Sequence, residues 1–453
     1  MFLKKKNMLL LFFLWIANAA SAQDLQAIWE STKQYYKGFE EKKQGILLAK
    51  QDSLARLLLY KPQVQIQFQQ GLSTAEGGTG AFIPLAGIVN VNASDAIQGD
   101  KHLFNHYLSG IMTWDFLRFG KRDLDKQIGH AQVRQSVLKE SLFELQLQEQ
   151  LIARFMNLQY LEVMVTWYTQ QLKHYRLMLS ISRNLAEAGI KPAADSLIAK
   201  SALHQMESNL TLLQGRKEGA KFLLKEFIGQ EVDWTNDRNG RKFMMVVNRV
   251  PQDSLIHPEI NMELAALNRL ALVQQRHEKE KLPRFLLLGG LSNRSSSMNS
   301  AGEIRANYGQ LYDRFSNNYF LGVGVTWNFQ QFLKGASDKK YAQIKYQEKS
   351  YATVLLKAKQ EAVSADLEAQ VLAAETSMNL ARKSMQDAEK AQEMYRTRYE
   401  GGLINLTELL QVQDMLLQTS LKEVNAYRDY WKLLISWSYQ RADFSLFFNH
   451  FNG

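Results

Sequence analysis

Few side chains in this 453-residue sequence stand at spacings that reactive chemistry uses. His102 and His106 are close enough to chelate a metal, but no carboxylate cluster joins them, so they read as bystanders. His277-Glu278 lacks the second histidine of the zinc-protease motif. Ser337 and Lys340 form a Ser-x-x-Lys without the partner motifs that a serine acyl-enzyme needs. No phosphate-binding loop or nucleophile elbow occurs. Cysteine is absent, which excludes disulfides, thiolate metal sites and a lipid anchor built on cysteine. No catalytic, cofactor-binding or metal-binding residue is assigned, and the chain is not expected to be an enzyme.

The informative polar residues sit beside paired glycines. Gly189-Ile190 with Asp195 recurs as Gly402-Leu403 with Glu408, at an offset of 213. Thr113-Trp114-Asp115-Phe116 recurs as Thr326-Trp327-Asn328-Phe329 at the same offset. Two unlike motifs at one spacing indicate an internal duplication. An upstream proline is also shared, Pro62 and Pro283, at an offset of 221, so the loop of the first half is longer by about eight residues.

Only six prolines occur, and 336–400 contains neither proline nor glycine. Such stretches, rich in Ala, Gln, Leu, Lys and Glu, favour helix. A helix of about 65 residues is roughly 100 Å long and needs a partner to bury its apolar stripe. Each half reads as helix, strand, loop, strand, long helix, glycine turn and returning helix. The first half places these at 24–60, 63–72, 107–116, 120–187, 189 and 193–228. The second places them at 257–281, 284–292, 319–329, 336–400, 402 and 405–440. Gln63 to Gln69 alternates polar and apolar residues without a fault, and Tyr319 to Phe329 alternates likewise. Gly229 to Leu255 reads as a small irregular or short-strand segment.

Lys4, Lys5 and Lys6, the apolar run Met8 to Ile16 and Ala20-Ser21-Ala22 fit a secretory signal peptide. The net charge is +10, or +7 without those three lysines, and the cations are scattered, which argues against nucleic acid. Past the signal, no window approaches 18 consecutive apolar residues, so the chain is periplasmic or enters a membrane as strands. Strands of 9–11 residues suit a membrane barrel, with glutamine toward water and valine, isoleucine and phenylalanine toward lipid. Four strands cannot close, and lipid does not tolerate an open edge. If the strands span a membrane, several copies share one barrel; symmetry alone allows two, three or more. The Gly-, Ser- and Asn-rich stretches near 73–105 and 294–317 read as extracellular loops, with Phe82 and Ile83 as a guess at an inward plug.

The duplicated plan resembles the TolC-like outer-membrane efflux protein family. The carriers are the Trp-[Asp/Asn]-Phe strand ends leading to Gly120 and Gly335, the Gly189 and Gly402 turns, and His257-Pro258-Glu259 followed by Leu282-Pro283. The family's Pro-Leu-Phe-Asp-Gly-Gly is missing its proline in both halves. The resemblance implies a mainly α fold with membrane β: four strands per chain in a shared twelve-stranded trimeric barrel, continuous with an α-helical periplasmic tunnel. It implies a passive exit duct of efflux or type I secretion in the outer membrane, a homotrimer in outer-membrane lipid, served by a periplasmic adaptor (membrane fusion) protein and an inner-membrane pump. The expected divisions are a signal peptide (1–22), a first repeat (23–228), an equatorial segment (229–256), a second repeat (257–441) and a C-terminal tail (442–453).

By the same resemblance, Glu408 falls at an acidic aperture ring and Gln411 at a second ring position that lacks its acid. Tyr399 and Asp195 match a closed-state contact, with Ile404 in place of the arginine that often joins it. Gly189, Ile190, Gly402 and Leu403 form the tips that dock the adaptor; plain helix caps are the alternative. Trp114 with Gly120 and Trp327 with Gly335 mark the strand–helix junctions, the indoles as membrane-interface anchors or as junction packing. The competing reading of the whole chain is a periplasmic coiled-coil adaptor or scaffold without a pore. Such a protein would carry one hairpin, not two copies of the strand–strand–hairpin plan.

Overall fold

The computed structural model describes residues 25–74, 102–229, 237–247, 256–297, 308–312 and 315–452. The signal-peptide expectation, Phe82 and Ile83 lie outside these residues. In chain order the elements are α1 (Leu25–Tyr35), α2 (Lys37–Leu58), β1 (Gln63–Thr74), β2 (His102–Leu117), α3 (Lys121–Glu187), α4 (Ala193–Ile228), α5 (Asp237–Phe243), α6 (Pro258–Lys279), β3 (Arg284–Ser296), β4 (Ser316–Thr326), α7 (Phe329–Glu400), α8 (Leu406–Gln440) and α9 (Ser445–Phe451). The duplicated order expected from sequence is present. No described helix is long and apolar enough to cross a membrane.

The chain divides into two units. One comprises Met1–Ile46, Gln135–Ala265 and Ser350–Gly453; the other comprises Leu47–Arg134 and Ala266–Lys349. The first is helical. Its core gathers Leu151, Phe155 and Leu158 of α3, Leu224 and Phe227 of α4, and Tyr427 and Trp431 of α8. Trp431 donates its indole N–H to the Phe243 carbonyl at 2.8 Å and packs against Phe447 and Phe451. The expected C-terminal tail is therefore a docked helix, α9, with Phe447, Phe448 and Phe451 buried. The segment between the repeats contains a helix, α5, where an irregular or short-strand segment was expected.

The second unit holds one antiparallel sheet in the order β1-β2-β3-β4. Gln63 stands opposite Thr113 and Arg284 opposite Thr326, so the ladder reproduces both sequence offsets, 221 and 213. Register carries the side-chain alternation across all four strands. One face has the rows Val64, Met112, Gly289, Leu321 and Ile66, Gly110, Leu291, Tyr319. The opposite face has the rows Gln67, Ser109, Ser292, Asn318 and Gln63, Thr113, Leu288, Gly322. At Gly290 a Cβ would strike the Phe320 ring, so only glycine lets that ring cross β3.

Two boundaries correct the expectations. β4 ends at Thr326 and α7 begins at Phe329, not at 336. Asn328 sets this start: its Oδ1 accepts the Gln330 N–H at 2.9 Å, the arrangement of an N-cap. Gly335 therefore lies inside α7 and is not a junction. β2 begins at His102, five residues before its expected start.

Candidate functional site

The two glycine turns are built alike. Gly189 has φ 71° and Gly402 has φ 74°, left-handed values that glycine adopts without strain. In each turn the next residue reaches back five: Ile190 N–H donates to the Leu185 carbonyl and Leu403 N–H to the Arg398 carbonyl, both at 2.9 Å. This is the backbone pattern that satisfies the last carbonyls of a helix. The turns nevertheless leave apolar residues in water, with Ile190 61% and Leu403 78% exposed. Met178, Ala199, Tyr399, Leu406 and Leu409 form a small buried cluster that draws α3, α4, α7 and α8 together there.

Tyr399 is fully buried. Burial pushes its phenol up, the nearby Asp195 charge adds to this, and Ser182 opposes it. No hydrogen bond joins Tyr399 to Asp195 among the described contacts; Asp195 is near enough only for its charge to disfavour the phenolate. The link that does span the turns was not read from the sequence. Lys191 Nζ donates to the Ile404 carbonyl at 2.9 Å and sits 6.0 Å from the centre of the Tyr399 ring. The acceptor is backbone, so no side-chain pattern announces it.

Glu408 is engaged at the start of α8. Asn405 Oδ1 accepts the Glu408 N–H at 2.8 Å, and Asn405 Nδ2 donates to Glu408 Oε1 at 2.7 Å. The Asn-x-x-Glu spacing is a readable capping signature. Gln411 is exposed one turn later.

At the strand ends the two tryptophans do the same thing. Trp114 Nε1 donates to the Tyr60 carbonyl at 3.0 Å and Trp327 Nε1 to the Lys281 carbonyl at 3.1 Å. Each acceptor lies two residues before the proline that opens its strand. Each indole thus fixes the chain as it enters its repeat's first strand, which supports the junction-packing alternative. At Gly120, φ is 80°, and the chain turns there from β2 into α3. The side chain of the same Tyr60 leads to a buried carboxylate: Asp125 accepts from Arg276 Nε at 2.6 Å and from the Tyr60 hydroxyl. Burial, reinforced by the Asp125 hydrogen bond, pushes the Tyr60 phenol up to about 12.

His106 packs against Phe68 and Phe315. His277, Glu280 and Asp338 bring ligand-type atoms within 4.8 Å of one another, but both Glu280 oxygens already have partners, Arg276 Nη1 at 2.6 Å and His277 Nδ1 at 3.1 Å.

Comparison with known proteins agrees with this architecture. Residues 263–433 match the model of the outer membrane efflux protein family. No curated protein matches the chain. Solved structures with the same fold include the outer membrane protein VceC of Vibrio cholerae, at TM-score 0.72 and 14% identity over 92% of this chain and 96% of that one. The open state of the Neisseria gonorrhoeae outer membrane channel MtrE gives 0.69 and 12% over 93% and 89%. The Campylobacter jejuni outer membrane channel CmeC gives 0.68 and 13% over 92% and 85%. The chain thus has the fold of TolC-like outer-membrane channels, and residues 263–433 carry the sequence of the outer membrane efflux protein family. The expected mainly α fold with four strands per chain is borne out, and the expected family is the one whose model residues 263–433 match.

Proposed function

We propose that three copies of this protein form the outer-membrane exit duct of a tripartite efflux or type I secretion system, a passive conduit from periplasm to exterior. The observation that carries the proposal is the sheet. It has two open edges, β1 and β4, and its apolar face is exposed, with Ile66 and Leu321 each at 76%. Lipid does not tolerate the unpaired backbone N–H and C=O groups of an open edge, so the edges must meet those of other copies. The β2–β3 pairing supports this closure. It joins the second strand of one repeat to the first strand of the next, which is the join that β4 and a neighbour's β1 would repeat. Three chains then give twelve strands, with the glutamine rows toward a watery lumen.

In this reading the repeats 23–228 and 257–441 each supply two strands and one helical hairpin, with 229–256 as the equatorial segment. The hairpin turns with Ile190 and Leu403 are the periplasmic tips that dock an adaptor, and the adaptor couples the duct to an inner-membrane pump. Glu408 and Gln411 line the aperture; with one acidic ring in place of two, cation preference is weakened. Tyr399, Asp195 and Lys191 hold the closed state.

Extraction in detergent, a mass measurement and single-channel recording in planar bilayers test the proposal. A trimer that conducts ions is the expected result. A monomer that stays in aqueous buffer and does not conduct would refute it.

A further inference from the structure

The helical unit contains a cavity of about 710 Å³, within the roughly 300–1,000 Å³ that small-molecule sites occupy. Residues of α3, α4, α7 and α8, with α5 and the residues just after it, line the cavity. Trp167, Met244 and Met385 give it an apolar wall, flat at the indole and adaptable at the thioethers.

The charged residues of the lining are nearly but not fully balanced. Glu162 is paired with Lys217 at 3.3 Å, and Glu423 with Arg382 at 3.6 Å. Arg382 is also fixed by donating to the Met244 carbonyl at 2.8 Å and to the Tyr427 hydroxyl. Arg241 lines the same cavity and makes no ion pair among the described residues. Three cations therefore face two carboxylates, and one positive charge is left over. Burial, only partly opposed by Arg382, pushes the Glu423 carboxyl up.

A second observation points to an occupant. Ser420 lines the cavity at 3% exposure, and its hydroxyl has no hydrogen-bond partner among the described residues. Leaving a buried hydroxyl unpaired costs about 1–3 kcal/mol, which an incoming acceptor would relieve.

We propose that this cavity binds a small amphipathic anion, a flat aromatic body bearing one carboxylate. The ring lies against Trp167 and the methionines. The carboxylate takes the unmatched charge of Arg241 and accepts a hydrogen bond from the Ser420 hydroxyl. The site does not depend on the channel reading, because binding is measured without conductance.

The test titrates a fluorinated naphthoate into the full-length protein in detergent, followed by fluorine NMR. The corresponding neutral naphthamide and empty micelles serve as controls for partitioning. Saturable broadening is expected for the acid, and binding of the amide weaker by at least about tenfold. Met385→Trp, which narrows the cavity at its apolar wall, weakens the saturable signal of acid and amide alike. Arg241→Gln, at an exposed position that should fold normally, weakens the acid by about tenfold and leaves the amide unchanged. The proposal is overturned if acid and amide bind equally, if both variants bind as the parent does, or if no saturable signal exists.

Discussion

Among the described residues, Lys191 makes the one side-chain hydrogen bond that reaches from the first hairpin turn to the backbone of the second. A hydrogen bond from a charged donor at a partly exposed site contributes about 1 kcal/mol, a factor of roughly five in a two-state equilibrium. Lys191→Met is therefore expected to raise the open fraction several-fold in single-channel records, while Lys191→Arg changes it little. Unchanged gating in Lys191→Met would remove Lys191 from the closed state. Two histidines make a separate prediction. Burial holds His257 and His450 below the ordinary 6.5, outweighing the hydrogen bonds and the Glu259 charge that favour protonation. Folding thus favours the neutral rings. The stability they lend is complete above pH 6.5 and is lost as pH falls below that value toward the folded-state pKa values. The His257→Gln/His450→Gln double variant should show a shallower loss of thermal midpoint between about pH 7 and about pH 5 than the parent. At this scale the sequence is legible where a residue's own constraint shows, as at Gly189, Gly402 and the Asn405–Glu408 cap. It is silent where the partner is main chain, as for Lys191 and both tryptophans.

Helices and strands were more legible than single contacts, because period and duplication average over many residues. The offsets found in a four-residue motif and in a pair of prolines reappear as hydrogen-bond register between strands. Misreadings fell where a local signal outweighed the pattern. Gly335 looked like a boundary, but Asn328 caps α7 first. The aromatic run Phe444 to Phe451 carries the signal for α9, a helix where a tail is expected. Two substitutions test the elements. Gly402→Ala places a side chain at φ 74° and is expected to cost about 1 kcal/mol, seen as a lower melting temperature of the assembled protein. Arg276→Leu leaves the buried Asp125 carboxylate without its cation and is expected to cost about 3 kcal/mol; Asp125→Asn in the same background should recover part of it. If Arg276→Leu melts like the parent, the ion pair is not structural.

For the molecule as a whole, the two faces of the sheet predict opposite tolerances. Lysine at Ile66, on the apolar face, is expected to cost about 2–4 kcal/mol when the sheet is in lipid, whereas lysine at the adjacent Gln67 is tolerated. Folded yield in lipid vesicles measures the difference, and equal yields would place both faces in water. The β2–β3 ladder also fixes the register of the unmade join. Leu108 faces Asn293, and the repeat offsets convert this pair to Leu321 facing Leu72 of a neighbouring copy. Since the natural chain has no cysteine, a Leu72→Cys/Leu321→Cys variant should cross-link under mild oxidation into dimers and trimers, and Leu72→Cys alone should not. The repeated clasp of Trp114 and Trp327 has an ancestral consequence. Each half fastens its own strand pair, and the link between halves is of the type that neighbours would share. In the proposed trimer, a gene encoding a single half would already specify every kind of seam in the ring, so six such halves would build what three duplicated chains build.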